Sequence, residues 1–300
     1  MTQPEQTIRL GAVQAEPIWL DLQGTVEKTI TIIQDAGKKG INVLGFPEVW
    51  IPGYPWNIWT QSVPQNGAMV KKYMANSLRV NSPEMDAIKA AVKEAGIFVV
   101  LGYSERDGNS LYMAQSSISP KGIIVNHRRK IKPTHIERTT WGEGQASSLK
   151  SVVDTPFGKG EQIHVAAWPA FFAVTKDSAW GFQGSPTASK LASQSMGIEG
   201  GSFVIVSTQV VKEENLDSMH LKELGVTDKA AGGFAMIYGP DGKELVEAFA
   251  PDEEGILQAD VLLSDIDDSK TLLDPVGQYS RPDLLSLLVN TNEGKHVVEK

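Results

Sequence analysis

The stretch Ile8-Arg9-Leu10-Gly11-Ala12-Val13-Gln14 is a short, mostly apolar run that fits a buried strand, and Leu22, Val26, Ile30 and Ile33 follow it at helical spacing as far as Gly37. Strand then helix is the expected unit. Asn42 to Phe46 repeats the strand signal, and after a loop rich in Pro, Trp and Gly the pair Ser82-Pro83 supplies an N-cap and a first-turn residue for a second helix. That helix carries Met85, Ile88, Val92 and Ala95 on one face and stops at Gly96, after which Ile97 to Tyr103 returns to strand.

Beyond this point strand follows strand. Leu111 to Ile118 and Ile123 to Asn126 flank the turn-forming Ser119-Pro120-Lys121-Gly122, which predicts a hairpin. Ile163 to Trp168, Phe203 to Thr208, Phe234 to Tyr238 and Ile256 to Val261 read as further strands, with a helix over Pro186 to Gly197 and a hairpin turn at Asp241-Gly242. Two βα-rich halves with hairpins between them predict an α/β fold, a layered α-β-β-α sandwich of two facing sheets; periodicity alone also admits one doubly wound sheet. With no repeat, low-complexity tract or Pro/Ser-rich linker, residues 1–300 are expected to form a single domain, with its core over about 8–262 and a C-terminal tail or oligomerisation segment over 263–300.

Composition narrows the function. A hydrophobic content of 41% with 21% charged residues fits a folded soluble chain, and a formal charge of -8 argues against a phosphate-backbone partner. No run is long and apolar enough for a membrane span, and the N-terminus lacks a basic, apolar leader, so a cytoplasmic location is expected. The chain has no cysteine. Disulfides, thiolate metal sites and thiol catalysis are all removed at once.

Two segments place ionisable groups beside rigid turns. In Gly45-Phe46-Pro47-Glu48-Val49-Trp50-Ile51-Pro52-Gly53-Tyr54-Pro55-Trp56 a carboxylate emerges just past a strand end. Partial burial there raises a carboxyl pKa toward neutrality and suits a general base, while a solvated-loop glutamate is the plain alternative. In Asn126-His127-Arg128-Arg129-Lys130-Ile131-Lys132-Pro133-Thr134-His135-Ile136-Glu137-Arg138, four cations cluster directly after a strand. Such a run usually marks a solvated turn, although a lysine in it can serve as an electrophile. His127 and His135 are too loosely spaced for a metal site, and no metal is expected.

Phe46-Pro47-Glu48 with Trp50-Ile51-Pro52-Gly53-Tyr54-Pro55, His127 to Thr134 with Glu137, Gly142-Glu143-Gly144, Glu161 to Pro169, Gly239 to Gly242 and Asp274 to Asp283 closely resemble the nitrilase family of carbon-nitrogen hydrolases. The likeness runs nearly end to end and favours the nitrile-acting branch over the amide-acting one. It implies the four-layer α-β-β-α sandwich, no cofactor, a small nitrile substrate hydrolysed to a carboxylic acid and ammonia, and a homo-oligomer built as a dimer or spiral. It also implies roles: Glu48 as general base, Lys130 as catalytic lysine and Glu137 as the glutamate that orients them. The aromatics Tyr54 and Trp168 are candidate substrate-binding residues, with core packing as the plain alternative.

One family feature is missing. After Thr155-Pro156-Phe157-Gly158-Lys159 the family continues with a strand, a turn bearing Cys-Trp-Glu and a helix, whereas this chain passes directly to Gly160-Glu161-Gln162. The resemblance implies a deletion of about 20 to 25 residues, the length of one strand and one helix. Without the thiolate, the chain as given is expected to be inactive, and a non-catalytic binding or hetero-oligomer subunit is the alternative. Ser151 and Thr155 lie near the junction but sit on no strand-to-helix elbow. Ile163 to Trp168 is expected to be free to slide into the vacated place, at the risk of turning its side chains to the wrong face.

Overall fold

The computed structural model describes residues 7–174, 180–290 and 294. In chain order its elements are β1 (Thr7–Ala15), α1 (Leu22–Lys38), β2 (Val43–Gly45), α2 (Gly67–Ala75), α3 (Pro83–Ala95), β3 (Phe98–Asp107), β4 (Ser110–Ile118) and β5 (Ile124–Arg129). There follow β6 (Ile163–Trp168), α4 (Pro186–Gly200), β7 (Phe203–Gln209), β8 (Met236–Tyr238), β9 (Gly255–Leu262) and α5 (Asp265–Leu272). The helix starts follow side-chain chemistry: Asp21 accepts from Gly24 N at 3.0 Å and Ser82 from Met85 N at 3.3 Å, each satisfying an amide that the first turn leaves free. Gly96 ends α3 at φ +67°, where a glycine carries no Cβ penalty.

The strands form two sheets that share one seam. The first has the order β5-β4-β3-β2-β1-β9 and the second β6-β7-β8, joined where Gln14 and Ala15 at the end of β1 pair with Thr208 and Gln209 of β7. α1 and α3 cover the outer face of the first sheet, packing Val26, Ile33, Ile88 and Val92 over Leu44, Val99 and Leu101. Between the sheets lie Leu10, Ala12, Val43 and Val100 against Ile205 and Ile237. The approach is close enough that a Cβ on Gly45 would stand 2.8 Å from Val165 Cγ1. Outside the second sheet, α4 turns Ser189, Ser193 and Gly197 inward, and Val204 packs against Gly197. The layers therefore run α-β-β-α, and the doubly wound alternative does not hold.

The sheets are unequal. Six strands face three, so β3, β4 and β5 overhang the second sheet, and β6 ends it with one edge free of any partner strand among the described residues. All seven residues of β7 are buried, while all six of β6 are only half-buried. β6 nevertheless keeps an unbroken parallel register with β7, from Ile163 opposite Phe203 to Trp168 opposite Thr208.

Three elements differ from the sequence expectation. His127, Arg128 and Arg129 are strand residues, because β5 pairs with β4 as far as Arg129 opposite Ala114 and Glu105 and Asp107 on the outer face take up His127 and Arg129. The solvated-turn reading of this run is thereby corrected. α2 buries only Tyr73 and has almost no apolar stripe to announce it. α5 buries only Ile266 and begins with Asp265, Asp267 and Asp268, which complement the positive end of its dipole. No helix among the described residues is long and apolar enough to cross a membrane.

Candidate active site

Glu48 leaves β2 in a loop held from both sheets. Its backbone N donates to the Trp168 carbonyl at 3.3 Å, and its own carbonyl accepts from Gln209 Nε2 at 2.6 Å. The Pro47 carbonyl rests on Gly102 of β3, where a Cβ would overlap it. Val49 is then forced to φ +49°, a left-handed conformation that a β-branched residue adopts only when its surroundings dictate it. Glu48 is fixed by the backbone before its side chain meets anything.

Lys130 arrives from the opposite side, one residue past β5, with its amide still on the ladder through the Met113 carbonyl at 2.7 Å. Its Nζ donates to Glu48 Oε1 and to Glu137 Oε2, each at 3.0 Å. Glu137 is pinned by a capping box: its Oε2 accepts from Thr134 N at 2.7 Å and from Thr134 Oγ1 at 3.1 Å. Tyr54 adds a donor, its hydroxyl lying 3.3 Å from Glu137 Oε1 and itself accepting from Trp59 Nε1 at 3.2 Å.

The electrostatics follow from burial. Burial pushes the Glu48 carboxyl above its usual value; the Lys130 ammonium opposes that push and the Glu137 charge reinforces it. Burial acts to lower the Lys130 ammonium, but the two carboxylates overcome this and raise it, so the lysine stays charged. Burial also raises the Tyr54 hydroxyl strongly, keeping it a neutral donor. The centre is thus an ammonium donor held between two glutamates, of which burial raises Glu48.

A cavity of about 720 Å³ opens onto this centre. Glu48, Tyr54, Lys130, Glu137 and Trp168 all line it, so the five residues singled out in the sequence converge on one space. Trp168 presents its side chain at the end of β6 and donates Nε1 to Ser193 Oγ at 3.1 Å. Trp56, Trp59, Phe171 and Trp180 make up an aromatic wall, with Trp59 and Trp180 edge to face at 4.7 Å. Gln209, which anchors the Glu48 backbone and also accepts from Tyr54 N at 3.2 Å, was not foreseen. No local sequence signal marks it, because its role arises only where the end of β7 meets the Glu48 loop.

The hydroxyls near the Lys159-Gly160 junction stand apart from the centre. Thr155 Oγ1 accepts from Phe157 N and Gly158 N, both at 3.2 Å, and is spent on its own turn. Ser151 lines a separate cavity of about 110 Å³ with Val153 and Phe157. Neither lines the space in front of Lys130.

Four layers of this order, enclosing a lysine between two glutamates, define the carbon-nitrogen hydrolase class. The family profile described as carbon-nitrogen hydrolase matches residues 9–271. A nitrilase of Talaromyces marneffei is 55% identical over 313 residues, covering 97% of each chain. A cyanide hydratase of Armillaria gallica is 45% identical, covering 97% of this chain and 88% of its own. Among solved structures, a carbon-nitrogen hydrolase of Helicobacter pylori superimposes with a TM-score of 0.68 at 16% identity, over 93% of this chain and 97% of that one. The last likeness speaks to the fold alone. This chain belongs to the nitrilase family of the carbon-nitrogen hydrolase superfamily.

Proposed function

We propose that this chain carries the substrate site of a nitrile hydrolase, the type that converts a nitrile to a carboxylic acid and ammonia, and that as it stands it binds such ligands without turning them over. The observation that carries the reading is the Glu48-Lys130-Glu137 centre, two 3.0 Å contacts facing a cavity, in a chain with no cysteine. In the complete reaction a thiolate attacks the nitrile carbon, the lysine stabilises the charge that develops on nitrogen, and a glutamate moves protons to the leaving ammonia and from the attacking water. Here Lys130 can still donate a hydrogen bond, but the chain has no thiol to form the covalent intermediate.

The origin of the loss is proposed as an excised segment between Lys159 and Gly160. Three observations support it. The alignment with the Talaromyces nitrilase runs over 313 residues, more than the 300 of this chain, so the relative has residues with no counterpart here. The second sheet has three strands against six, and β6 stands beside the cavity with an unpaired edge and six half-buried residues. One helix, α4, covers that sheet where two helices, α1 and α3, cover the other. The exposed run around Leu285, Leu287 and Leu288, at 81%, 87% and 98% exposure, supports self-association as well.

The test is ammonia release from aliphatic nitriles, arylacetonitriles and cyanide, made on this chain and on a version with a family strand-Cys-Trp-Glu-helix segment inserted after Lys159. The restored version is expected to release ammonia at a rate at least about 10⁴-fold above the chain as it stands. Turnover by the 300-residue chain at a comparable rate would overturn the reading. Sequencing the transcript separates the two origins: a message encoding the segment marks a hydrolase gene, and a faithful short message marks a binding subunit.

A further inference from the structure

Inside β5 the side chains alternate, and neighbouring arginines meet opposite environments. Arg129 is fully committed on the outer face, donating to Glu105 through Nε at 2.7 Å and to Asp107 through Nη2 at 2.8 Å. Arg128 faces the space between the sheets and lines both the large cavity and the smaller one beside it. Among the described residues it makes no hydrogen bond and no ion pair, whereas every other arginine has at least one. A half-buried guanidinium with five free donors is costly to leave without an acceptor.

The surroundings match that need. Gln115 is directly opposite Arg128 in the β4-β5 register, lines the same two cavities, and likewise has no side-chain partner among the described residues. The Arg128 charge reaches Glu161, but that carboxylate is engaged by His164, whose Nδ1 lies 2.7 Å from its Oε1 and holds it below the usual range. Arg128 and Lys130 project on the same face of one strand, two residues apart, so their backbones are separated by about 6.6 Å. Both open into the one cavity of about 720 Å³.

We propose that Arg128, with Gln115, forms an anion subsite, and that the cavity takes short ligands with a reacting carbon at Lys130 and a second, carboxylate end at Arg128. This deepens, and rests on, the reading of the Lys130 centre as a nitrile and acid site. The ligand class is a short ω-cyano carboxylate, and its product is the corresponding dicarboxylate. A planar carboxylate accepts two parallel N–H bonds from the guanidinium fork, which a lysine at the same place cannot supply. Two or three methylenes between the ends are of the order of the backbone spacing between the two positions, about 6.6 Å.

The experiment is calorimetric titration of the intact chain with glutarate and with butyrate at one pH and one salt concentration. Glutarate is expected to bind about tenfold more tightly, the advantage of a charge-assisted hydrogen bond in a partly dry site. Arg128→Gln is expected to bring the two acids to equal affinity, and Arg128→Lys to retain part of the preference. Thermal midpoints of both variants check that the fold is kept. Equal binding of the two acids by the parent chain, or a preference that survives in Arg128→Gln, overturns the subsite and leaves the binding reading intact. Binding of neither acid overturns both.

Discussion

β5 and β6 each end a sheet with one edge unpaired among the described residues, but the outer face of β5 is held by a row of side-chain bonds, whereas β6, half-buried along its length, carries few. On the outer face of β5, Arg129 forks onto Glu105, lies 3.8 Å over the Tyr112 ring and reaches Asp107, while His127 closes the row against Glu105, Tyr103 and Ser116. β6 has no comparable clamp. Its anchors are the ladder to β7, the Trp168 contacts to Ser193 Oγ and Glu48 N, and the exposed pair of His164 with Glu161. The difference teaches which half of the site supports itself. Lys130 and Glu137 stand on or just beyond a strand locked from behind, and Glu48 borrows only one backbone contact from β6, so the centre persists although the sheet opposite it is short.

The hardest way to break that self-supporting half is to remove its cation. Lys130→Met would leave Glu48 and Glu137 facing each other with side chains only 20% and 6% exposed, and no positive group between them. The expected cost is about 3 kcal/mol at neutral pH, at the low end for a broken buried pair because part of the lysine meets solvent. The sign with pH is fixed as well. Glu48, already raised by burial, rises further in the variant, so its folded state binds a proton that the unfolded state releases. Stability must then fall as pH increases through that raised value. Urea midpoints at pH 5 and pH 8 check this, and a variant more stable at pH 8 would contradict it.

The clamp behind β5 offers the next effect. Burial would raise the Glu105 carboxyl, but the Arg129 fork and His127 outweigh it and hold the group at about 2, against an ordinary 4.5. A depressed carboxyl stabilises the fold fully above its unfolded value and loses that contribution as pH falls through its folded value, so the window runs from pH 4.5 down to about 2. The difference corresponds to about 3 kcal/mol, a figure that applies because the Glu105 side chain is only 5% exposed. Arg129→Gln should shift acid unfolding to higher pH and leave Lys130 less firmly placed. Acid unfolding that begins at the same pH in both proteins would show that the clamp does not anchor this edge.

These contrasts were only partly visible in the sequence. Helices α1 and α3 were legible because apolar spacing, an N-cap and a glycine stop agreed with one another, as at Ser82, Val92 and Gly96. β5 was cut short because the charged run His127-Arg128-Arg129 reads in isolation as a solvated turn, and only the pairing with β4 reveals that His127 and Arg129 alternate outward while Arg128 turns inward. Glu48 and Lys130 are 82 residues apart and meet through tertiary packing, so no spacing rule joins them. Family blocks pointed to both, and also to Glu137, whose capping box with Thr134 is the one local signature in the site. Gln209 and the unequal sheets were hidden because both depend on which strands become neighbours.

A smaller effect compares the two strands of the open sheet directly. Ile205 in β7 is fully buried between the sheets, and Ile163 in β6 is half-buried beside the vacant edge. Ile205→Ala removes methyl groups from a packed space and should cost about 3 kcal/mol, transfer and cavity together. Ile163→Ala removes the same atoms from a half-buried place that already borders a cavity of about 110 Å³, so its cost should stay below about 1 kcal/mol. The gap of about 2 kcal/mol, read from urea midpoints at constant m, measures how much packing β6 lacks. Insertion of a strand after Lys159 should narrow it, because a new neighbour would bury Ile163 while leaving Ile205 as it is. If the two substitutions cost the same in the present chain, β6 is covered in solution by something its own fold does not provide.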